Sequence, residues 1–239
     1  MEREIINGVE ILHEPAEKYV QINDPPNDSL HGILDHIKST YVWDNIWLCY
    51  HNNFAPQDLL KEHNATIEDD CEEIRLSVED FEKLQMESNP PSDAGLDESA
   101  KATMIVPITV ANFDIFAKLH DKVSTGTSWP SRRILEKMDL WSIFACLSPD
   151  GSNVTDFIMT MTTNGRVTTT AEIFHLYTHD LTHAKALLTA AALFSFNNGA
   201  NELLYMIDKD EKICKNASET LGFKSCGFYC GYKIAASNK

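Results

Sequence analysis

At 239 residues, the chain is long enough for one large domain or two small ones. Its hydrophobic content of 43% supports a folded core, and its net charge of −16 argues against a nucleic-acid partner, because phosphate neutralisation needs clustered Lys and Arg. No apolar run approaches the roughly 18 residues that span a membrane, and the first ten residues contain no apolar targeting segment. We therefore expect a cytoplasmic protein without a membrane partner.

The charge is unevenly distributed, which predicts two structural units. Residues 1–100 carry 23 acidic and 6 basic side chains, whereas the remainder carries 13 acidic and 14 basic ones. The segment 87–101 combines two prolines, a glycine and four acids, as linkers and exposed loops do. We therefore divide the chain into an acidic N-terminal α/β region at 1–86, a linker or exposed loop at 87–101, and a second domain at 102–239. The six cysteines are scattered, which favours reduced thiols.

The acidic region has the pattern of alternating strands and helices. We predict a short strand within 1–14, a helix from Asp28 or Ser29 to Thr40, a strand at Ile46–Tyr50, a short helix at Ala55–His63, and a strand, a helix or both at Ile74–Met86. The buried stripe of the first helix should consist of Leu30, Ile33, Leu34 and Ile37, which recur at helical spacing. Nothing specific identifies this region, and we expect an extension or a half-domain.

The second domain shows a more regular pattern. We predict strands at Met104–Ile108, Trp141–Leu147, Val154–Met161, Thr169–Thr178, Glu202–Ile207 and Phe223–Ile234, with helices after Asn112, Pro130, Asp180 and Asp210. Asn164-Gly165 has the composition of a hairpin turn, and Gly222 stands where a helix C-cap is expected. The predicted order is β-α-α-β-β-β-α-β-α-β.

The stretch from Thr169 to Asn198 is the organising element of this domain. It reads as a buried strand that passes through a tight turn, near His179 and Asp180, into a long apolar helix. Such a junction presents unpaired amide N–H groups and the positive end of the helix dipole. The stretch is therefore suited to hold a phosphate.

This order, together with the Leu221-Gly222-Phe223 sequence, resembles the GNAT superfamily of CoA-dependent N-acyltransferases over about residues 102–236. The resemblance implies a mixed, mostly antiparallel central sheet flanked by helices, in the α/β (α+β) class. It further implies that 102–239 is a GNAT-like acyltransferase domain with acetyl-CoA or another acyl-CoA as cosubstrate. The strand Thr169–Thr178 would pair with the pantetheine arm, and the following loop would hold the pyrophosphate.

The resemblance places the cosubstrate on the strand end and the loop. The residues that it implies are Leu176, Thr178, His179, Thr182, His183, Ala184 and Lys185. His179 stands at the basic position of the family's loop and Thr182 at a glycine, so only Ala184 matches cleanly. Asp180 adds a further departure, because as an N-cap it would satisfy the same amides and repel a diphosphate. Either the loop uses a different register or the cosubstrate binds weakly.

The resemblance also implies catalytic residues. Many members carry a tyrosine four residues before the glycine of Leu-Gly-Phe, where this chain has Ser218, a poor acid. Glu172, on the strand before the loop, is the candidate general base, although an outward strand residue paired with a lysine has the same pattern. The tyrosines left as substitutes for the acid are Tyr177, Tyr229 and Tyr232.

Trp129 and Arg132 lie between two early helices, where the fold commonly lines the acceptor pocket, so they are the substrate-binding candidates. Ordinary packing at a helix start is the alternative. His175, His179 and His183 are spaced by four, but His175 is expected in the strand, so the three do not share a helical face and no metal is expected.

Two hypotheses follow from the resemblance. The first is an N-acetyltransferase, or a transferase of another acyl group, that acts on the amine of a small molecule or peptide by direct attack on the thioester. The second is a catalytically inactive GNAT-like binding or regulatory protein, which the missing loop glycine, loop arginine and tyrosine favour. The sequence allows a homodimer and does not identify the acceptor.

Overall fold

The computed structural model describes residues 2–88, 104–124, 129–161 and 170–235. The chain forms two compact units. The first unit consists of Met1–Glu73 and Gly227–Lys239, and the second of Ile74–Cys226. The predicted division at 87–101 stays a prediction, because most of that segment lies outside the described residues, as does the predicted hairpin turn at Asn164-Gly165.

The first unit begins with strands that the sequence predicts only in part. Its elements are β1 (Glu2–Ile6), β2 (Val9–Glu14), a 3-10 helix (Pro15–Glu17), β3 (Tyr19–Asn23), α1 (Leu30–Thr40), β4 (Asn45–His51), α2 (Gln57–Glu62) and β5 (Thr66–Ser77), whose last four residues belong to the second unit. The prediction of one strand within 1–14 is wrong: Asn7 and Gly8, with φ of 51° and 82°, form the turn of a hairpin, as both positive φ angles allow.

The core of the first unit lies between its sheet and α1. Strands β1, β2 and β3 pair antiparallel, and β3 pairs in parallel with β4 after the crossover through α1. Strand β11 (Lys224–Ala235) then pairs antiparallel with β4. The predicted stripe of α1 is confirmed, since Leu30, Ile33, Leu34 and Ile37 are all fully buried.

The second unit has the element order that the sequence predicts. Its elements are α3 (Val78–Ser88), β6 (Ile105–Ile108), a 3-10 helix (Val110–Asn112), α4 (Phe113–Val123), α5 (Ser131–Glu136), a 3-10 helix (Met138–Leu140), β7 (Trp141–Leu147), β8 (Val154–Met161), β9 (Thr170–Tyr177), α6 (Leu181–Asn197), β10 (Glu202–Asp208) and α7 (Lys212–Thr220). From β6 to β11 this is β-α-α-β-β-β-α-β-α-β. The predicted fold class is confirmed.

Two apolar clusters organise the second unit. Its strands follow the order β6-β7-β8-β9-β10, antiparallel except for the parallel pair of β9 and β10. One cluster joins β9 and β10 to α6 and α7, and the other joins β7 and β8 to α4. None of the helices in the described part of the chain combines the length and hydropathy needed to cross a lipid bilayer.

The two units share a series of elements. The order from β1 to β5, β-β-β-α-β-α-β, is repeated from β7 to β11. The short helices α2 and α7 also end alike, with Asn64 (φ 50°) and Gly222 (φ 85°) in the left-handed conformation. Each is the C′ residue of a Schellman motif, in which two backbone N–H groups donate to carbonyls of the last helical turn. The series β1–β5 thus repeats the order of the series β7–β11 as a partial repeat within the chain, and the predicted C-cap at Gly222 is confirmed.

We expect Gly222→Ala to lower the free energy of unfolding by about 1 kcal/mol, because a Cβ is disfavoured at a φ of 85° although no atom lies closer than 3.8 Å to it. Gly32→Ala is the matched control, since Gly32 lies inside α1 with open space around its Cβ position. That variant should gain about 0.5–1 kcal/mol. Urea denaturation measures both changes, and equal effects of the two substitutions would contradict the left-handed cap.

Candidate functional site

The site is located where two parallel strands stop pairing. The ladder between β9 and β10 runs from Thr170 opposite Glu202 to Ile173 opposite Tyr205. Both strands continue beyond that point, β9 to Tyr177 and β10 to Asp208. A gap therefore opens between their C-terminal ends, where the backbone of β9 is no longer paired to β10.

A bulge in β9 coincides with the end of this ladder. On its other side β9 pairs with β8, and the register shifts so that Phe174 has no opposing residue between Ile173 and His175. Ile173 and Leu176 pack in the cluster with α6, whereas Phe174 contacts Trp141 and His175 contacts Phe157, both in the cluster with α4. The extra residue thus directs two successive side chains to the same face of the sheet.

The turn between β9 and α6 is closed by a carboxylate. Asp180 is the N-cap of α6, and its Oδ1 accepts hydrogen bonds from the backbone N–H groups of Thr182 at 2.7 Å and His183 at 2.9 Å. These bonds lower the pKa of Asp180, the bond from His183 contributing most. The amides that would face a diphosphate are therefore engaged, as the sequence predicts for an aspartate N-cap.

A second carboxylate stabilises the same turn through hydrogen bonds. Asp156 of β8 is buried, and it accepts hydrogen bonds from Thr178 Oγ1 at 2.7 Å and Thr155 Oγ1 at 2.6 Å. His183 Nδ1 lies 2.8 Å from Asp156 Oδ2, the oxygen that also accepts from Thr155. Because a carboxylate only accepts, this nitrogen carries the proton. Asp156 thus fixes both the last residue before the turn and the first turn of α6.

Asp156 is not among the residues that the sequence predicts for the site. The available signal is a single acidic residue in the apolar strand β8, where a buried carboxylate requires several donors. Cys146 is fully buried beside this carboxylate, and burial, together with Asp156 and Asp180, raises the pKa of its thiol to about 12. The thiol therefore stays protonated at neutral pH.

The predicted cosubstrate residues gather at this turn, although they play different parts. Leu176 and Ala184 are buried in the cluster with α6. His179 is exposed and lies 3.2 Å from the Tyr177 hydroxyl through its Nε2. Lys185 is half-buried in the second turn of α6. The backbone amides of Thr182 and His183 point to Asp180.

Trp129 and Arg132 are the two residues predicted to bind the amine acceptor, and Trp129 reaches the site through Trp141. Trp129 packs edge-on against Trp141 with ring centroids 5.0 Å apart, and Trp141 packs against Phe174 at 5.1 Å. These aromatic rings therefore lead from the start of α5 to the bulge of β9. Arg132 is exposed and pairs with Glu136 one turn later, at 3.0 Å.

The predicted catalytic residues are separated. Glu172 is half-buried on β9, opposite Leu204 and immediately before the end of the parallel ladder. Ser218 is fully buried in α7, and no described residue bonds its hydroxyl. Tyr229 and Tyr232 belong to the first unit, where the Tyr229 hydroxyl lies 3.0 Å from Cys49 Sγ. Their catalytic roles stay predictions.

His175 also lies at this site, although its spacing in the sequence bears only on a metal site. It lies in β9, as predicted, next to the bulge, and its Nδ1 is 3.3 Å from Ser124 Oγ. Burial, with the neighbouring His120, lowers the pKa of His175 to about 4. The imidazole is therefore neutral at pH 7 and a weak base. Local sequence cannot reveal it, because the bulge changes the face on which His175 lies.

The comparisons with known proteins identify the fold. No family model and no curated protein matches the sequence. A GCN5-related N-acetyltransferase from Kribbella flavida superposes with a TM-score of 0.63 at 12% identity, over 99% of this chain and 90% of that one. A functionally unknown conserved protein from Staphylococcus epidermidis gives 0.63 at 11% identity, over 95% and 90%.

The N-myristoyltransferase of Saccharomyces cerevisiae with bound myristoyl-CoA gives a TM-score of 0.56 at 12% identity, over 91% of this chain and 59% of that one. Identities this low establish the fold alone. The chain therefore has the fold of the GNAT superfamily, as the sequence predicts.

We expect Asp180→Ala to lower the free energy of unfolding by about 1 kcal/mol, because two backbone N–H groups lose their acceptor. Asp180→Asn is the matched variant, since its amide oxygen keeps the cap without the charge. Urea denaturation of both variants measures the difference. An Asp180→Ala variant as stable as Asp180→Asn would contradict the cap.

The free energy of unfolding should fall as the pH drops from about 6.5 towards 4. In that range the unfolded chain binds a proton at His175, whereas the folded protein, with its lowered pKa, does not. His120, whose pKa burial also lowers, contributes in the same direction. We expect His175→Gln to flatten this pH dependence of the urea midpoint, whereas His179→Gln at the exposed turn should not. An unchanged slope in His175→Gln would contradict the buried neutral state.

Proposed function

We propose that the chain is a cytoplasmic acyl-CoA-dependent N-acyltransferase that acts on the amine of a small molecule or peptide, with acetyl-CoA as the first cosubstrate to test. The observation that supports this proposal is the gap between β9 and β10 beyond Ile173 and Tyr205. The unpaired edge of β9 offers backbone donors and acceptors to a pantetheine arm, whose amides can pair with it like an added strand.

The corresponding strands of the first unit offer no such gap. There β3 pairs in parallel with β4 over all five of its residues, from Tyr19 opposite Asn45 to Asn23 opposite Cys49. The backbone N–H of Asp24 continues the pairing by donating to the Cys49 carbonyl at 2.8 Å. A cosubstrate arm is therefore assigned to the second unit.

The site fits the two parts of a CoA molecule unequally. The gap and the buried Leu176 suit the thin pantetheine arm. The turn is less suited to the diphosphate, because the Asp180 carboxylate lies on the amides of Thr182 and His183 and carries the same sign of charge. Asp180 is exposed, so its side chain can rotate away at the expense of the cap. We therefore expect weak acyl-CoA binding.

In the proposed reaction, the amine nitrogen forms a bond to the thioester carbonyl carbon and the carbon–sulfur bond breaks. The amine loses a proton and the departing thiolate gains one. Glu172 lies beside the end of the ladder and can receive the amine proton, directly or through water. Tyr177 is the tyrosine of β9 that can supply the thiolate proton.

A non-catalytic binding protein is the second candidate. The Asp180 carboxylate on the loop amides favours it, and so does Ser218, whose buried hydroxyl replaces the expected tyrosine. Such a protein would retain the strand gap without transferring an acyl group.

Isothermal calorimetry with acetyl-CoA, followed by detection of free thiol in the presence of a panel of amines, distinguishes the two candidates. Binding with thiol release supports the enzyme, and binding without release across the panel supports the binding protein. No heat and no thermal shift at millimolar acetyl-CoA or longer acyl-CoA would refute both.

We expect Asp180→Asn to bind acetyl-CoA more tightly than the wild type, by about tenfold, because it removes a charge that repels the diphosphate while keeping the cap. Thr182→Asp adds a charge at the same loop and should abolish detectable binding, and Thr182→Asn is its uncharged control. Calorimetry measures all three affinities. Equal affinities of Thr182→Asp and Thr182→Asn would show that the diphosphate does not bind at this loop.

A further inference from the structure

Three ligand-bearing side chains converge on the first unit, remote in sequence from the proposed transferase residues. His31, Glu62 and His63 each offer one ligand atom, and these atoms all lie within 4.8 Å of one another. His31 Nε2 is 3.9 Å from Glu62 Oε2. We propose that these three residues form a site for a divalent transition-metal ion, with Zn²⁺ the best match to two imidazoles and one carboxylate.

The backbone positions of these ligands are well defined. His31 is in the first turn of α1, whose apolar face is fully buried. Glu62 is the last residue of α2, and His63 is its C-cap, followed by the Schellman motif around Asn64. Two packed helices thus present the ligands, and the side chains have only their own rotamers left to adjust.

The spacing of the ligand atoms suits a small ion. Tetrahedral zinc with bonds of about 2.0–2.2 Å holds its ligand atoms about 3.3 Å apart. The present separations need to contract by up to about 1.5 Å, which exposed side chains accomplish by rotation. His31 and Glu62 are both more than half exposed, so an ion can reach the site from solvent and keep a water as its fourth ligand.

A cation already contacts one of the proposed ligands. Lys38 Nζ lies 2.9 Å from His63 Nδ1. An ammonium group only donates, so Nδ1 is the acceptor and its lone pair points to this cation. Lys38 is exposed and flexible, and a metal ion can replace its ammonium group at the same lone pair.

Some of the charges around the cluster favour metal binding and others oppose it. Glu62 and Asp35 add negative charge near His63, and the C-terminal end of α2 adds a partial negative charge. Lys38 and His31 oppose these effects. If a metal ion displaces the Lys38 ammonium group, one of the two positive charges that oppose metal binding leaves the cluster.

A second cluster of possible ligands, among the described residues, already has its carboxylate engaged in hydrogen bonds. Cys146, Asp156 and His183 also bring ligand atoms within 4.8 Å of one another. There the Asp156 carboxylate is already bonded by Thr155, Thr178 and His183, and the thiol holds its proton. This cluster is explained by its role in holding the turn before α6.

The test is a titration of zinc chloride into the tag-free full-length protein, followed by calorimetry and by the thermal unfolding midpoint. We expect one equivalent to bind and to raise the midpoint, because the ion binds the folded state. His31→Ala and Glu62→Gln should each weaken binding by roughly tenfold or more. His36→Ala is the matched control, a histidine on the same helix outside the cluster, and should bind as the wild type does.

Cobalt chloride identifies the ligand types. The proposed site has no sulfur, so the cobalt-loaded protein should lack a thiolate-to-metal charge-transfer band. Such a band would place the ion on a cysteine and overturn the proposal. Unchanged zinc affinity in His31→Ala and Glu62→Gln would do so too, as would the absence of zinc binding in a wild-type protein that is folded.

Discussion

The short parallel ladder between β9 and β10 is the constraint on which the candidate site depends. Four residue pairs hold the strands together, and the bulge at Phe174 coincides with the point where pairing with β10 ends. The same extra residue directs Phe174 towards Trp141 and His175 towards Phe157. One irregularity therefore separates the backbone edge to which the proposed function assigns the cosubstrate from an aromatic face of the sheet. A regular strand would close the gap and reverse the two faces.

The turn that follows folds without the glycine and arginine that the resemblance implies at this loop. Asp180 supplies the acceptor for the first amides of α6, and Asp156 fixes the turn through Thr178 and His183. Side-chain carboxylates thus occupy roles that a bound phosphate would share, and the turn is complete on its own. The fold is consequently independent of the ligand, whereas affinity for a diphosphate depends on how readily Asp180 leaves its cap.

Helix ends and buried stripes were predictable in both units because each depends on local signals. Gly222 ends α7 in a Schellman motif, and the buried stripe of α1 follows from apolar spacing alone. The bulge at Phe174 was not predictable, since it depends on pairing with β8, which is distant in sequence. The same limit applies to Asp156, whose partners come from other elements. The hairpin at Asn7-Gly8 is different, because its Asn-Gly turn signal is local and was available in the sequence.

The partial repeat shows how one series of elements can serve different chemistry. After α7, Leu221 is buried and Gly222 leads into β11, so this helix end contributes to the core. After α2, the C-cap position is His63, which faces Lys38 and lies beside His31. The backbone motif is the same, but the side chain at the cap decides whether the helix end packs or binds. Because β3 and β4 remain fully paired, the first unit has no strand gap, and its ligand-bearing groups lie at the helix ends instead.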